Sequence, residues 1–180
     1  MPTYISLLRG INVSGQKKIL MADLKALYKG LGFSNVQTYI QSGNVVFEFQ
    51  KTAASKLQEM VFEKIKSHYG FEVPNLILTP AEVQEALNNN PYQNVEKPYF
   101  TFLSELPEEM NIETLISISF DNEFFELKGK VIYAHYPNGA GSAKMNNNLI
   151  ERKLKVSATS RNLNTTKKLL EMSKFTKTVF

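Results

Sequence analysis

A loop with the composition of an anion-binding site lies near the start of the chain, in the segment LLRGINVSGQKKILMADL, residues 7–24. Gly10 and Gly15 are separated by four residues, and two adjacent lysines follow them. Between a strand and a helix, such a loop can hold a phosphate through backbone amides and a lysine. A nucleotide-hydrolysing P-loop is not expected, because Gln16 stands where that motif needs lysine and Lys17 stands where it needs a hydroxyl.

The two lysines, Lys17 and Lys18, favour a looser anion site. They precede the expected amino terminus of a helix, where the helix dipole disfavours cations and favours a bound phosphate or carboxylate. The alternative is that both lysines project into water and that the helix begins later, near Ala22 and Asp23.

Two segments that are distant in sequence could complete this site. Arg9 and Asn12 belong to the opening loop, whereas Arg161 and Asn162 precede the last expected helix. Because guanidinium groups suit phosphate and carboxylate, the functional hypothesis brings these side chains together around one anion. In the structural alternative, Asn162 or Asn164 caps the last helix, and Arg161 is tethered to loop carbonyls or to an acidic side chain.

Polar residues also gather in the segment TYIQSGN, residues 38–44. Ser42 and Asn44 join the hypothetical anion-binding set, and an enzyme would use polar groups around Tyr39, Ser42 and Arg161. A serine triad is not expected, because no base is identifiable: the two histidines of the chain lie in other elements. In the simpler interpretation, the serine, glycine and asparagine serve a tight turn.

The elements that position these residues follow from apolar periodicity. TYISLLRG alternates as a strand does, and the spacing of Leu20, Leu24, Leu27 and Leu31 predicts a helix that Gly32 ends. A hairpin around the SGN turn, a second helix, a strand and a capped helix start at TPAE follow. The order strand, helix, strand, strand, helix, strand is that of the ferredoxin-like unit, with both helices on one face of the sheet.

The second half repeats this pattern in part. After the turn-rich segment NNNPYQNVEKP, a strand, a short helix, a hairpin turning at Lys128-Gly129, a basic helix over 143–154 and a final helix from near Asn164 are expected. We therefore predict an α+β fold built from a ferredoxin-like βαββαβ unit that is duplicated into two similar halves. The predicted domains are 1–90, which includes a connecting helix at 80–88, and 91–180, which carries basic C-terminal helices.

Aromatic residues of the second hairpin allow two interpretations. Phe124, Phe125, Tyr133 and Tyr136 are expected in the core or on a sheet face. An RNA-recognition module would place such residues on an exposed sheet of this same fold, but the consensus motif of that module is absent.

Composition excludes several classes of function. The chain has 180 residues, 43% of them apolar, and no cysteine, which rules out disulfides, thiol nucleophiles and thiolate metal sites. No apolar run approaches the roughly 20 residues of a membrane span, and no signal-peptide pattern is visible, so a cytoplasmic location is expected.

Charge is distributed unevenly although the net charge is only +4. Residues 128–180 contain eleven Lys or Arg and two Glu, whereas residues 1–127 contain ten basic and fifteen acidic side chains. This polarity can steer an anionic partner towards the basic end, although a lysine-rich helix surface in water is the simpler explanation.

The segment YISLLRGINVSGQKKILMADLKALYKGLGFSNVQTYIQSGNVVF, residues 4–47, resembles the start of the bacterial domain-of-unknown-function family 1697. Members of that family carry a motif similar to RGINVGG, then TYIQSGN, and a C-terminal T-x-R-N segment that Thr159–Asn162 matches. Ser14 departs from the usual glycine. The resemblance implies a ferredoxin-like α+β arrangement and no particular activity.

The leading functional hypothesis is a binding module for an anionic ligand, namely a nucleotide, another phosphate compound or a nucleic acid. An enzyme of unknown reaction and a protein-interaction scaffold are the alternatives. No cofactor, metal or membrane contact is expected, because two separated histidines and scattered carboxylates do not have ligand spacing.

Overall fold

The computed structural model describes residues 1–175, which divide into two compact units. Unit 1 contains Met1–Gln84 and the segment from Lys167 onward, and unit 2 contains Glu85–Thr166. The division predicted from the sequence falls between residues 90 and 91. The compact units differ from it mainly because the C-terminal segment groups with the first half.

Unit 1 has the element order of a ferredoxin-like unit, followed by the start of a third helix. Its elements are β1 (Thr3–Leu8), α1 (Met21–Gly30), β2 (Ser34–Tyr39), β3 (Asn44–Glu48), α2 (Ala54–Tyr69), β4 (Asn75–Leu78) and α3 (Pro80–Asn88). The antiparallel sheet has the order β2-β3-β1-β4, in which Ile5 of the central strand β1 lies opposite Val46 and Leu78. This arrangement confirms the predicted fold class.

The helices of unit 1 begin and end where local chemistry predicts. Leu24, Leu27 and Tyr28 form the buried face of α1, and Gly32 follows its end with a φ of 87°. Gly70 caps α2 in the left-handed conformation at a φ of 79°, which glycine adopts without a steric penalty. Thr79 caps α3 through the expected reciprocal bonds with Glu82, in which each backbone N–H donates to the other side chain.

An aromatic cluster forms the centre of the core of unit 1. Phe47 stacks on Phe33 with ring centroids 4.3 Å apart and meets Tyr28 edge-on at 5.6 Å. The hydroxyl of Tyr28 is fully buried and lies 2.8 Å from Ser6 Oγ, so its polar group is satisfied inside the core. Burial raises the pKa of Tyr28 well above its usual value.

Unit 2 has the same strand topology. Its elements are β5 (Tyr99–Leu103), α4 (Glu109–Ile116), β6 (Phe124–Lys128), β7 (Val131–His135), a 3-10 turn (Ala140–Ser142), α5 (Asn147–Leu154) and β8 (Ala158–Asn162), and α6 (Leu163–Phe175) follows. The sheet order β6-β7-β5-β8 corresponds strand for strand to that of unit 1. Each unit thus contains a complete βαββαβ arrangement.

Two details of unit 2 differ from the sequence prediction. Strand β8 was not predicted, and α5 begins at Asn147, where Asn146 caps it by accepting from the N–H of Leu149 at 3.0 Å. Of the four aromatic residues expected in the core or on a sheet face, Tyr133 is 1% exposed, and Phe125 and Tyr136 pack partly buried against the core of unit 2. Phe124 at the sheet edge is 50% exposed.

Within residues 1–175, no helix is both long and apolar enough to cross a membrane.

Candidate functional site

The opening loop is shaped by residues in the left-handed region rather than by a phosphate cradle. Asn12, Ser14 and Lys17 have φ values of 56°, 50° and 46°. The N–H of Gln16 donates to the carbonyl of Val13 at 2.9 Å, which closes a small turn between them. The backbone groups of Gln16 and Val13 therefore bond to each other instead of to a phosphate. This agrees with the absence of a P-loop motif in the sequence.

Asn12 is a structural tether. Its Nδ2 donates to the carbonyls of Ile19 and Gln41, each at 2.9 Å, and its Oδ1 accepts from the N–H of Ile19 at 2.9 Å. These bonds hold both ends of the loop together and fasten it to the hairpin between β2 and β3. Both amide hydrogens are thereby used, so Asn12 shapes the predicted site without a free donor to offer.

The cations of this region have different surroundings. Lys17 Nζ donates to the carbonyl of Glu72 at 2.7 Å, which fixes this lysine to the segment after α2. Lys18 is exposed and lies three residues before the start of α1. Arg9 is half-buried, its N–H donates to the carbonyl of Pro74 at 2.9 Å, and burial lowers the pKa of its side chain.

The predicted hairpin residues serve the turn. Asn44 is fully buried, and its Nδ2 donates to the carbonyl of Tyr39 at 3.0 Å and to Ser42 Oγ at 2.9 Å. Gly43 has a φ of 87°, and a Cβ placed on it would lie 2.5 Å from the Cβ of Leu8. Only glycine fits there, because both the backbone conformation and the contact with β1 exclude a side chain.

Arg161 and Asn162 lie in strand β8 of unit 2. Arg161 donates to the carbonyl of Ser160 at 2.8 Å, and burial lowers its pKa to about 10, which leaves it charged at neutral pH. Asn162 accepts from the N–H of Thr165 at 2.9 Å, which is the capping geometry of the structural alternative. Convergence of Arg161 with the opening loop stays a prediction, as does an enzyme site built on Tyr39, Ser42 and Arg161.

A pocket of about 370 Å³ lies at the amino terminus of α1. The opening loop, the β2-β3 hairpin, the first turn of α1 and the end of α2 form its wall, through residues that include Asn12, Lys18, Met21, Asp23, Gln41 and Tyr69. The two helices of a ferredoxin-like unit run antiparallel on one sheet face, so the end of α2 lies beside the start of α1. The pocket is thus a consequence of the fold.

The start of α1 presents backbone donors to this pocket. The residue that precedes the helix, Leu20, is in an extended conformation, and no side chain caps the first turn. Unsatisfied N–H groups and the helix dipole make such a terminus attractive to anions. Lys18 adds a positive charge, whereas the carboxylate of Asp23 in the first turn already compensates part of the dipole.

Tyr69 contributes a hydroxyl with unusual surroundings. Its oxygen is shielded from solvent and has no hydrogen-bond partner within the described part of the chain. Burial and the nearby carboxylate of Asp23 raise the pKa of Tyr69, so the group is a neutral donor or acceptor at neutral pH. A buried polar atom without a partner costs about 1–3 kcal/mol.

Of the predicted residues, the structure brings Asn12 and Lys18 to one pocket, and the sequence analysis did not identify Asp23 or Tyr69 as part of it. Tyr69 is far from the opening loop in sequence. It is the last residue of the amphipathic helix α2, so no sequence pattern near it indicates a role in the pocket. Among residues 1–175, no group of three or more His, Asp or Glu side chains could hold a metal ion.

The repeated βαββαβ arrangement defines a tandem ferredoxin-like α+β protein. The chain belongs to the family described as "Protein of unknown function (DUF1697)", whose model matches residues 1–133. The resemblance noted from the sequence is thereby confirmed, and the Thr159–Asn162 segment lies beyond the matched range.

The fold is similar to that of the conserved bacterial protein SP0830 from Streptococcus pneumoniae. The TM-score is 0.72 at 24% sequence identity, over 96% of this chain and 98% of that one. At this identity the likeness establishes the fold alone. No curated protein matches the chain.

Proposed function

We propose that unit 1 binds a small molecule that carries a phosphate or carboxylate group, in the pocket at the amino terminus of α1. The observation that carries this proposal is that the uncapped first turn of α1 opens into a pocket that also contains Lys18. The anionic group accepts hydrogen bonds from the first-turn N–H groups and pairs with Lys18. The volume of about 370 Å³ lies in the range of about 300–1,000 Å³ that small-molecule sites occupy.

The other polar groups of the pocket narrow the chemistry of the ligand. Asp23 repels a second anionic group and offers an acceptor to a hydroxyl or an amine. A sugar phosphate, a mononucleotide or an amino acid has this combination, whereas a plain oxyanion uses only Lys18 and the helix terminus.

Two observations favour a small molecule over a nucleic acid in this role. The pocket contains a carboxylate, which opposes a polyanion. The central sheet aromatics Phe100 and Tyr133 are buried and so do not form the stacking platform that single-stranded RNA binding uses.

Isothermal titration with inorganic phosphate, a mononucleotide and a short RNA, each at two salt concentrations, tests the proposal. Lys18→Ala weakens phosphate binding about 2- to 5-fold, which corresponds to about 0.4–1 kcal/mol, within the range measured for exposed ion pairs. Asp23→Asn strengthens it by a similar factor, because the competing carboxylate is gone.

Lys25→Ala is the matched control, since Lys25 is an exposed lysine of the same helix outside the pocket wall. Equal losses for Lys18→Ala and Lys25→Ala indicate attraction by net charge alone and contradict the proposed site. RNA could instead bind with a steep salt dependence that neither Lys18→Ala nor Asp23→Asn changes. That result would indicate that the ligand binds at another surface.

A further inference from the structure

Strand β6 is an edge of the unit 2 sheet that no bulge interrupts. It pairs with β7 on one side only, in an unbroken register from Phe124 opposite His135 to Lys128 opposite Val131. By contrast, the edge strand β2 of unit 1 is interrupted by a register shift after Ser34. Bulges of that kind normally prevent edge strands from pairing with other chains.

The hydrogen-bond pattern shows which backbone groups of β6 face outward. The N–H of Leu103 in β5 donates to the carbonyl of Lys130 at 2.8 Å, so Lys130 faces β5. Backbone groups alternate in direction along a strand, so the N–H and C=O groups of Val131 point to β6 and bond those of its partner, Lys128. The backbone groups of Leu127 and Phe125 consequently point to the open edge, where they are available to another strand.

The side chains of β6 carry alternating chemistry. Glu126 and Lys128 lie on one sheet face, 4.0 Å apart, with their side chains 52% and 45% exposed. Phe124 on that same face is half exposed and stacks on His135 at 6.0 Å. Leu127, on the opposite face, packs partly against the core of unit 2.

We propose that β6 pairs antiparallel with β6 of a second copy of this chain, about a two-fold axis at Leu127. In this register Leu127 faces its own symmetry mate, and Glu126 of each copy lies opposite Lys128 of the other. Registers centred on Glu126 or on Phe125 also satisfy the outward backbone groups. The first places two carboxylates directly opposite each other, and the second places each Glu126 opposite Phe124 instead of a lysine. Opposite charges across strands stabilise and like charges destabilise, which selects the register centred on Leu127.

The resulting contact is an isologous interface that joins two four-stranded sheets into one. In this register only residues 126–128 of the two β6 strands overlap, so the contact buries less surface than a standard stable interface, and the dimer is weak and depends on concentration. This inference rests on β6 alone and is independent of the pocket in unit 1, so either proposal can fail without the other.

Cysteine cross-linking tests the register, because the chain has no cysteine of its own. Leu127→Cys forms a disulfide-linked dimer under mild oxidation, since the Cα atoms of a hydrogen-bonded antiparallel pair lie about 5.5 Å apart, within disulfide range. Phe125→Cys is the matched control from the same face, whose symmetry mate would be about 14 Å away. The proposed pairing is overturned if neither variant forms a cross-linked dimer, if both do so equally, or if only Phe125→Cys does so.

Charge reversal tests the same contact without covalent chemistry. In sedimentation velocity, Glu126→Lys and Lys128→Glu are each monomeric at concentrations where the wild type associates, and an equimolar mixture of the two associates again. The mixture controls for damage to Lys128, which also donates to the carbonyl of Asn89 at 3.0 Å. The proposal is contradicted if the wild type stays monomeric at every concentration, which is expected if the edge binds a peptide from another protein. It is also contradicted if the mixture of the two variants stays monomeric.

Discussion

Replacement of Asn12 by alanine separates a structural role of this residue from a binding role. The substitution removes three hydrogen bonds, two to backbone carbonyls and one from a backbone N–H. At about 0.5–1.5 kcal/mol per bond, and with the N–H of the buried residue Ile19 losing its acceptor, the expected loss is about 2–4 kcal/mol. For a chain of this length each kcal/mol lowers Tm by about 2–4 °C.

The control is Ser14→Ala, because Ser14 occupies the same left-handed region in the same loop and its side chain makes no hydrogen bond within residues 1–175. Urea denaturation followed by circular dichroism gives both free energies of unfolding. The account expects Asn12→Ala to lose at least about 2 kcal/mol more than the control, mainly through the three hydrogen bonds and in part because asparagine tolerates the left-handed region better than alanine or serine. Equal losses, or an Asn12→Ala protein of wild-type stability that no longer binds phosphate, would refute the tether.

Three further substitutions probe the fold. Gly43→Ala should cost more than about 2 kcal/mol, because it adds a close contact with Leu8 to the strain of a positive φ; Gly139→Ala, in open space at a φ of 91°, shows the strain alone. Tyr28→Phe should cost about 1–2 kcal/mol in chemical denaturation. Because burial raises the pKa of Tyr28 above its ordinary 10.0, wild-type stability falls as pH rises past that value, and this variant should show a shallower fall. Thr79→Ala should cost about 1 kcal/mol by removing the α3 cap, and Thr79→Ser should restore most of it in thermal unfolding.

The sequence predicted the features that are set by neighbouring residues. Gly32 and Gly70 end helices, and Thr79 with Glu82 begins one, because caps involve residues within one turn of each other. Strand β8 was missed because its sequence, ATSRN, has no apolar alternation; it is recognisable only from its pairing with β5.

The candidate site was predictable only in part, for a similar reason. Lys18 could be found because it lies within one turn of the start of an amphipathic helix. The role of Asn12 depends on the carbonyl of Gln41, and the contribution of Tyr69 depends on the packing of α2 beside α1. Such contacts join residues that are distant along the chain, and no local pattern encodes them.

The proposed ligand site is tested most directly by an amide NMR titration with inorganic phosphate at low salt. The account predicts saturable chemical-shift changes centred on the amides of Lys18 and the first turn of α1, Met21 to Asp23, with larger amplitude at equal phosphate concentration in Asp23→Asn. The proposed site would be contradicted if the chemical shifts of these amides do not change on addition of phosphate, whether or not amides elsewhere respond.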